Sequence, residues 1–99
     1  MSPTYSLEKI KKLIAENKCY MTARATEEAW DQFALNEDEA IEEVLDLKTG
    51  NFTKSMHSNQ KAGLFQDVYK KSISGKDAYI KLQISKQGDA VIISFHEYT

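Results

Sequence analysis

The chain has one cysteine, one proline, one tryptophan and four glycines in 99 residues. A lone thiol, Cys19, closes no internal disulfide, and with only His57 and His96 beside it no Cys/His cluster is spaced for zinc. No metal site and no cofactor are expected. The glycines form no phosphate loop and no nucleophile elbow, and the acids form no paired cluster suited to two metals, which removes most support for nucleotide hydrolysis and metal-dependent cleavage. Long apolar runs are missing too. The longest, Ala90 to Ser94, is far short of the roughly 20 residues that span a bilayer, and the N-terminus lacks the basic-then-apolar layout of a secretory signal. A cytosolic protein is expected, with residues 1–99 as one domain, because this length supports one core and not two.

A strong overall charge is also lacking, the net being −2, but the average hides an asymmetry. Residues 1–50 carry 6 Lys and Arg against 11 Asp and Glu, a balance of −5, whereas residues 51–99 carry 7 against 4, a balance of +3. A basic C-terminal half suits contact with phosphates, and an acidic half suits solvent or a basic partner.

What is present is periodicity. Ser6 can cap a helix whose Leu7, Ile10, Leu13 and Ile14 fall at helical spacing and which fades near Asn17. Cys19 to Thr22 is short and β-tolerant. Thr26 offers a second cap, with Glu27 and Glu28 in the first turn where negative charge suits the helix dipole, and Trp30, Phe33 and Ala34 follow as a packing face. Asn36 with Glu39 reads as a capping box for a third helix, apolar at Ala40, Ile41, Val44, Leu45 and Leu47, with Glu37 to Glu43 mainly a solvated face, and Thr49-Gly50 ends it. After Gly50 the period becomes that of strands, at about Phe52 to Met56, Leu64 to Lys71, Asp77 to Ser85 and Ala90 to Tyr98. Asn59, Gly63, Ser74-Gly75 and Gly88-Asp89 supply turn residues, and the short connections favour an antiparallel meander. The fold class is α+β, N-terminal helices packed on a C-terminal antiparallel sheet.

Strict alternation puts Ala78, Ile80, Leu82 and Ile84 on one face of the third strand and Tyr79, Lys81 and Gln83 on the other. In the fourth it sets Val91, Ile93 and Phe95 against Ile92, Ser94 and His96. The polar face is where chemistry belongs, because strands hold side chains rigidly. Cations, an imidazole, a phenol and amides suit one reaction that needs no cofactor: attack of an RNA 2′-hydroxyl on its neighbouring phosphate. Lys54 and Lys81 can neutralise charge developing on the phosphate, and His96 can exchange a proton near neutrality.

Four blocks then stand in order: Asn51-Phe52-Thr53-Lys54-Ser55-Met56, Phe65-Gln66-Asp67-Val68-Tyr69, Ala78-Tyr79-Ile80-Lys81-Leu82 and Val91-Ile92-Ile93-Ser94-Phe95. With the Lys11 to Leu13 helix and Thr22 to Ala25 upstream, the chain resembles, over nearly its whole length, the motility quorum-sensing regulator (MqsR) toxin family. The resemblance implies a RelE-like fold and ribosome-independent, metal-free cleavage of mRNA at short GC-containing sequences. It also implies neutralisation by a cognate MqsA-like, DNA-binding antitoxin. The family's active-site Lys, Gln and Tyr carry over onto Lys54, Gln66 and Tyr79, and its C-terminal Lys onto the position held by His96. By RelE-like analogy the products are a 2′,3′-cyclic phosphate and a 5′-hydroxyl.

The departures have consequences. His96 for lysine makes the charge at that position depend on pH near neutrality. Thr53 stands for a tyrosine and Phe65 for a tryptophan, which removes one ring that can stack on a base and one indole donor. Lys81 is a candidate for phosphate contact, and His57 either a loop histidine or a substrate contact. Arg24, the only arginine, either grips a phosphate or pairs with a nearby acid. Trp30 and Phe33 are expected to pack the helix and Cys19 to be a small buried hydrophobe. The alternative to a nuclease is a catalytically weak relative that binds RNA or an antitoxin-like regulator, suggested by the loss of the family lysine and by the acidic balance.

Overall fold

A computed structural model describes residues 2–57 and 64–98, so the expected turn residues Asn59 and Gly63 lie outside the described residues. In chain order it has α1 (Leu7–Ala15), β1 (Cys19–Met21), α2 (Ala23–Phe33), α3 (Glu37–Leu45), a 3-10 turn (Thr49–Asn51), β2 (Phe52–His57), β3 (Phe65–Ile73), β4 (Lys76–Ile84) and β5 (Ala90–Glu97). The strands form a five-stranded sheet in the order β1-β5-β4-β3-β2. Neighbours from β2 to β5 run antiparallel as the turn chemistry implies, while β1 joins β5 in parallel. The α+β class holds. No described helix is long and apolar enough to cross a membrane.

Local chemistry explains most boundaries. The Ser6 hydroxyl accepts from Lys9 N–H at 3.0 Å to start α1, and the Asn36–Glu39 capping box closes reciprocally at 2.9 and 3.0 Å to start α3. The β3–β4 hairpin turns on Ser74 and Gly75, both at positive φ (52° and 81°), which is the type I′ geometry that matches sheet twist. α2 departs from expectation. Its cap is Thr22, whose hydroxyl accepts from Ala25 N–H at 3.1 Å, and Thr26 sits one turn inside the helix with its hydroxyl on the Thr22 carbonyl. Both threonines have the capping chemistry, but only Thr22 is held by the sheet, through N–H and hydroxyl bonds to the Ile92 and Ile93 carbonyls at 3.1 and 3.0 Å.

The helices cover one face of the sheet. Leu7, Ile10 and Leu13 of α1, Ala25 and Ala29 of α2, and Ala40 and Val44 of α3 meet Tyr69, Ile80, Leu82, Ile92 and Phe95 in one apolar core. Phe33 packs edge-on against Phe95 at 5.6 Å. Trp30, expected to pack beside it, is 61% exposed, because α2 turns its alanines inward. Along β5 the expected alternation also fails. A bulge at the register shift between Lys81 and Leu82 sets Lys81 opposite Ser94 but Leu82 opposite Ile92, leaving Ile93 unpaired. Ala90, Ile92 and Phe95 therefore face the core, and Val91 and Ile93 do not share the Phe95 face.

α2 lies along the edge of β5 beyond the end of β1. Glu28 accepts the Phe95 N–H at 2.9 Å, and Gln32, one helical turn on, accepts the Glu97 N–H. Four residues of helix rise about 6 Å and two residues of strand about 6.6 Å, so acceptors at i and i+4 match strand donors at i and i+2.

Candidate active site on the outer sheet face

The face turned away from the helices is built by register. Pairing aligns Lys54, Val68, Lys81 and Ser94 in one row across β2 to β5, with Lys70, Tyr79 and His96 in the next. On the other side of the lysine row lie Met56, Gln66, Gln83 and Val91. Val68 and Ser94 are buried though no helix covers them, so the short side chains form a floor between the longer ones. A second bulge, between Phe52 and Lys54, restores Lys54 to this face after Phe52 has packed edge-on against Tyr69.

Like charges dominate the centre. Burial first, then the charges of Arg24 and Lys54, hold the Lys81 ammonium below its ordinary value, with Glu28 opposing weakly. Glu28 has little to offer Lys81, because one carboxylate oxygen accepts the Phe95 N–H and the other pairs with Arg24 at 3.3 Å. Arg24 is thus both salt-bridged and 75% exposed, at the rim of the same cationic patch. An anion arriving between Lys54 and Lys81 relieves that repulsion, which is the electrostatic requirement for holding a phosphate whose charge grows during reaction.

Beside the lysines, the rings of Tyr79 and His96 stack 4.7 Å apart with planes 15° from parallel, and Lys81 Nζ stands 6.0 Å from the Tyr79 ring centre. The Tyr79 hydroxyl reaches the Met56 sulfur at 4.0 Å. His96 Nδ1 lies 3.0 Å from the Glu97 carbonyl. A carbonyl only accepts, so the tautomer that makes this bond is the one with the proton on Nδ1 and the lone pair on Nε2. Gln66 Nε2 donates to Gln83 Oε1 at 3.2 Å, which orients the Gln66 amide.

Lys54, Gln66, Tyr79, Lys81 and His96 therefore share one face, with Arg24 at its rim. His57 does not join them. It has the parity of Ser55, opposite to that of Lys54 and Met56, and its ring lies 4.3 Å from Phe65. The partner of Gln66, Gln83, was accessible to strand parity. The role of Glu28 in fixing Arg24 was not, because it depends on α2 docking along β5. On the opposite face of the same strands, buried Asp67 accepts from Ser55 Oγ at 2.6 Å and from the Thr4 and Tyr5 N–H groups at 3.0 and 2.9 Å. Cys19 takes no part. Burial, then the charges of Glu37 and Asp89, push its thiol up to about 11. Among the described residues, no three His, Cys, Asp or Glu side chains converge as a metal site.

A family model described as "Motility quorum-sensing regulator, toxin of MqsA" matches residues 2–97. The chain is 28% identical over 96 residues to the mRNA interferase toxin MqsR of Escherichia coli (strain K12), an alignment covering 97% of this chain and 95% of that protein.

Proposed function

From the premise that this chain belongs to the motility quorum-sensing regulator toxin family, we propose that it is the toxin of a toxin–antitoxin pair and an endoribonuclease that cleaves mRNA. The observation that carries the reading is the row of Lys54 and Lys81 beside the stacked Tyr79–His96 pair on an open sheet face. The RelE-like relationship, action in the cytoplasm on free mRNA, and an MqsA-like, DNA-binding antitoxin as partner belong to the same proposal, with residues 1–99 as one toxin domain.

In this mechanism the substrate's 2′-hydroxyl is the nucleophile. Its oxygen attacks the adjacent phosphorus while its proton passes to His96 Nε2, and the bond from phosphorus to the 5′-oxygen breaks. Tyr79 supplies the proton the leaving oxygen needs, so the products are a 2′,3′-cyclic phosphate and a 5′-hydroxyl. Lys54 and Lys81 stabilise charge on the non-bridging oxygens, Gln66 orients the ribose or base, and Arg24 contacts a flanking phosphate. His57, turned to the other face, is given no part. The step calls for no metal, because the nucleophile is already part of the RNA.

The test is a long mRNA incubated with the protein and EDTA in the absence of ribosomes, followed by mapping of fragment 5′ ends. Discrete cuts at a shared short motif are expected, falling about 100-fold or more in rate for Lys54→Ala with the fold intact. Intact RNA from folded protein would overturn autonomous cleavage in favour of a module that only binds RNA or antitoxin. Cleavage by Lys54→Ala at the wild-type rate would overturn the site.

A further inference from the structure

Tyr98 lies just beyond β5, yet the sheet still holds it: its N–H donates to the Asp77 carbonyl at 2.7 Å, which continues the β4–β5 ladder. Its parity is that of His96, so its ring stands on the outer face, where it is 46% exposed. The ring is 6.2 Å from that of Tyr79 with planes 11° from parallel, and Tyr79 is in turn nearly parallel to His96. The Lys70 ammonium rests 3.4 Å from the Tyr98 ring centre. To the stacked Tyr79–His96 pair Tyr98 thus adds a third ring in nearly the same orientation, about half exposed and flanked by a lysine, an addition that neither core packing nor the cleavage step requires.

We propose that Tyr98, with Lys70, forms a stacking subsite for a nucleobase of single-stranded RNA flanking the scissile phosphate. An exposed ring fixed by backbone pairing loses little freedom when a base stacks on it, and every base offers a face to stack. Charge complementarity names the occupant. Lys54, Lys81 and Arg24 already draw a polyanion to this face, and Tyr98 lies about four strand residues, about 13 Å, from Lys81 along β4, within reach of a neighbouring nucleotide. Lys70 covers the ring in the free protein by cation–π attraction, which is weak at an exposed site. A phosphate is the stronger partner, so the ammonium moves to the backbone and yields the ring face to the base. The placement next to the reacting phosphate rests on the ribonuclease reading; the stacking itself does not.

The experiment compares wild type, Tyr98→Phe, Tyr98→Leu and Tyr98→Ala in cleavage of a long transcript and in equilibrium binding of a short mixed-sequence single-stranded RNA, with thermal melts as the fold control. Tyr98→Ala is expected to raise both KM and Kd about tenfold, Tyr98→Leu to do nearly the same, and Tyr98→Phe to retain wild-type values, while kcat barely moves. An abasic nucleotide at the flanking position of a mapped cut should weaken wild type by the same factor and Tyr98→Ala by little more. Unchanged Kd for Tyr98→Ala and Tyr98→Leu, or a loss in Tyr98→Phe equal to that in Tyr98→Ala, would sink the subsite. A transcript left whole by wild type, with Tyr98-dependent RNA binding preserved, would remove the ribonuclease and leave the stacking site standing.

Discussion

Lys71 and Lys81 occupy adjacent strands of one sheet, are both partly buried, and face opposite ways. Lys71 points toward the helices and meets Glu43 at 2.6 Å and Asp46 at 3.1 Å. Burial pulls its ammonium down, but hydrogen bonds and charge from those two acids overcome that and leave it raised. Lys81 points outward, where burial acts in the same direction and the nearest charges are mainly cations, so it is lowered. The inner face satisfies its charges at home, Asp67 with three donors being the other example. On the outer face Arg24 has Glu28, but among the described residues neither Lys54 nor Lys81 has a carboxylate in salt-bridge contact. An ion pair that is complete in the free protein has little left to give a ligand, and it is the unpaired lysines that the proposed mechanism sets against the RNA phosphate.

The sharpest way to break the contrast is to remove each ammonium in turn. Lys81→Met should cut RNA cleavage about 100-fold or more and raise the melting temperature, because the substitution deletes a partly buried charge held among like charges. Equal cleavage by Lys81→Met, or a lower melting temperature, would end the claim that the outer face trades stability for anion binding. The inner-face counterpart is Asp67→Ala, which strips the partner from the Thr4 and Tyr5 N–H groups and from Ser55. A loss of about 2 to 3 kcal/mol in denaturant unfolding is expected, with kcat close to wild type below the melting temperature. A large kcat loss in folded Asp67→Ala would mean that the two faces are coupled through Ser55, the neighbour of Lys54.

How far this division could be read in the sequence depends on the range of the forces involved. Ser6, the Asn36–Glu39 box and Ser74-Gly75 act within four residues, and the elements they bound form where expected. Alternation along β4 was enough to put Tyr79 and Lys81 together, and the order of blocks brought Lys54 and Gln66 to them. What failed was set at long range. The parallel pairing of β1 with β5 involves three residues with no period of their own, and the choice of Thr22 over Thr26 is made by carbonyls of β5 seventy residues away. The bulge at Ile93 reverses parity without any glycine to announce it. His57 fell on the wrong face for a simpler reason: adjacency to the Lys-Ser-Met block says nothing about side, and three residues along a strand reverses it.

The smallest effect is the most direct comparison of the two lysines, because it reads their opposite shifts as opposite slopes of stability against pH. A raised lysine stabilises fully below its unfolded value of 10.5 and loses that contribution as pH rises through the folded value. A lowered lysine carries its penalty below the folded value and sheds it as pH climbs toward 10.5. The stability difference between wild type and Lys71→Met should therefore shrink above pH 10.5. That between Lys81→Met and wild type should shrink earlier, as pH approaches 10.5 from below. At the acid end Asp46, lowered chiefly by its hydrogen bond to Lys71, gives Lys71→Met a second signature: its deficit fades as pH falls below 3.8, where the unfolded carboxylate takes its proton first. Thermal melts of the three proteins across these two windows check the signs, and each double difference cancels the titration of residues the proteins share. If both lysine variants drift the same way between pH 9 and 11, the two faces do not differ in how they hold charge, and the outer cations have lost their claim to be waiting for a phosphate.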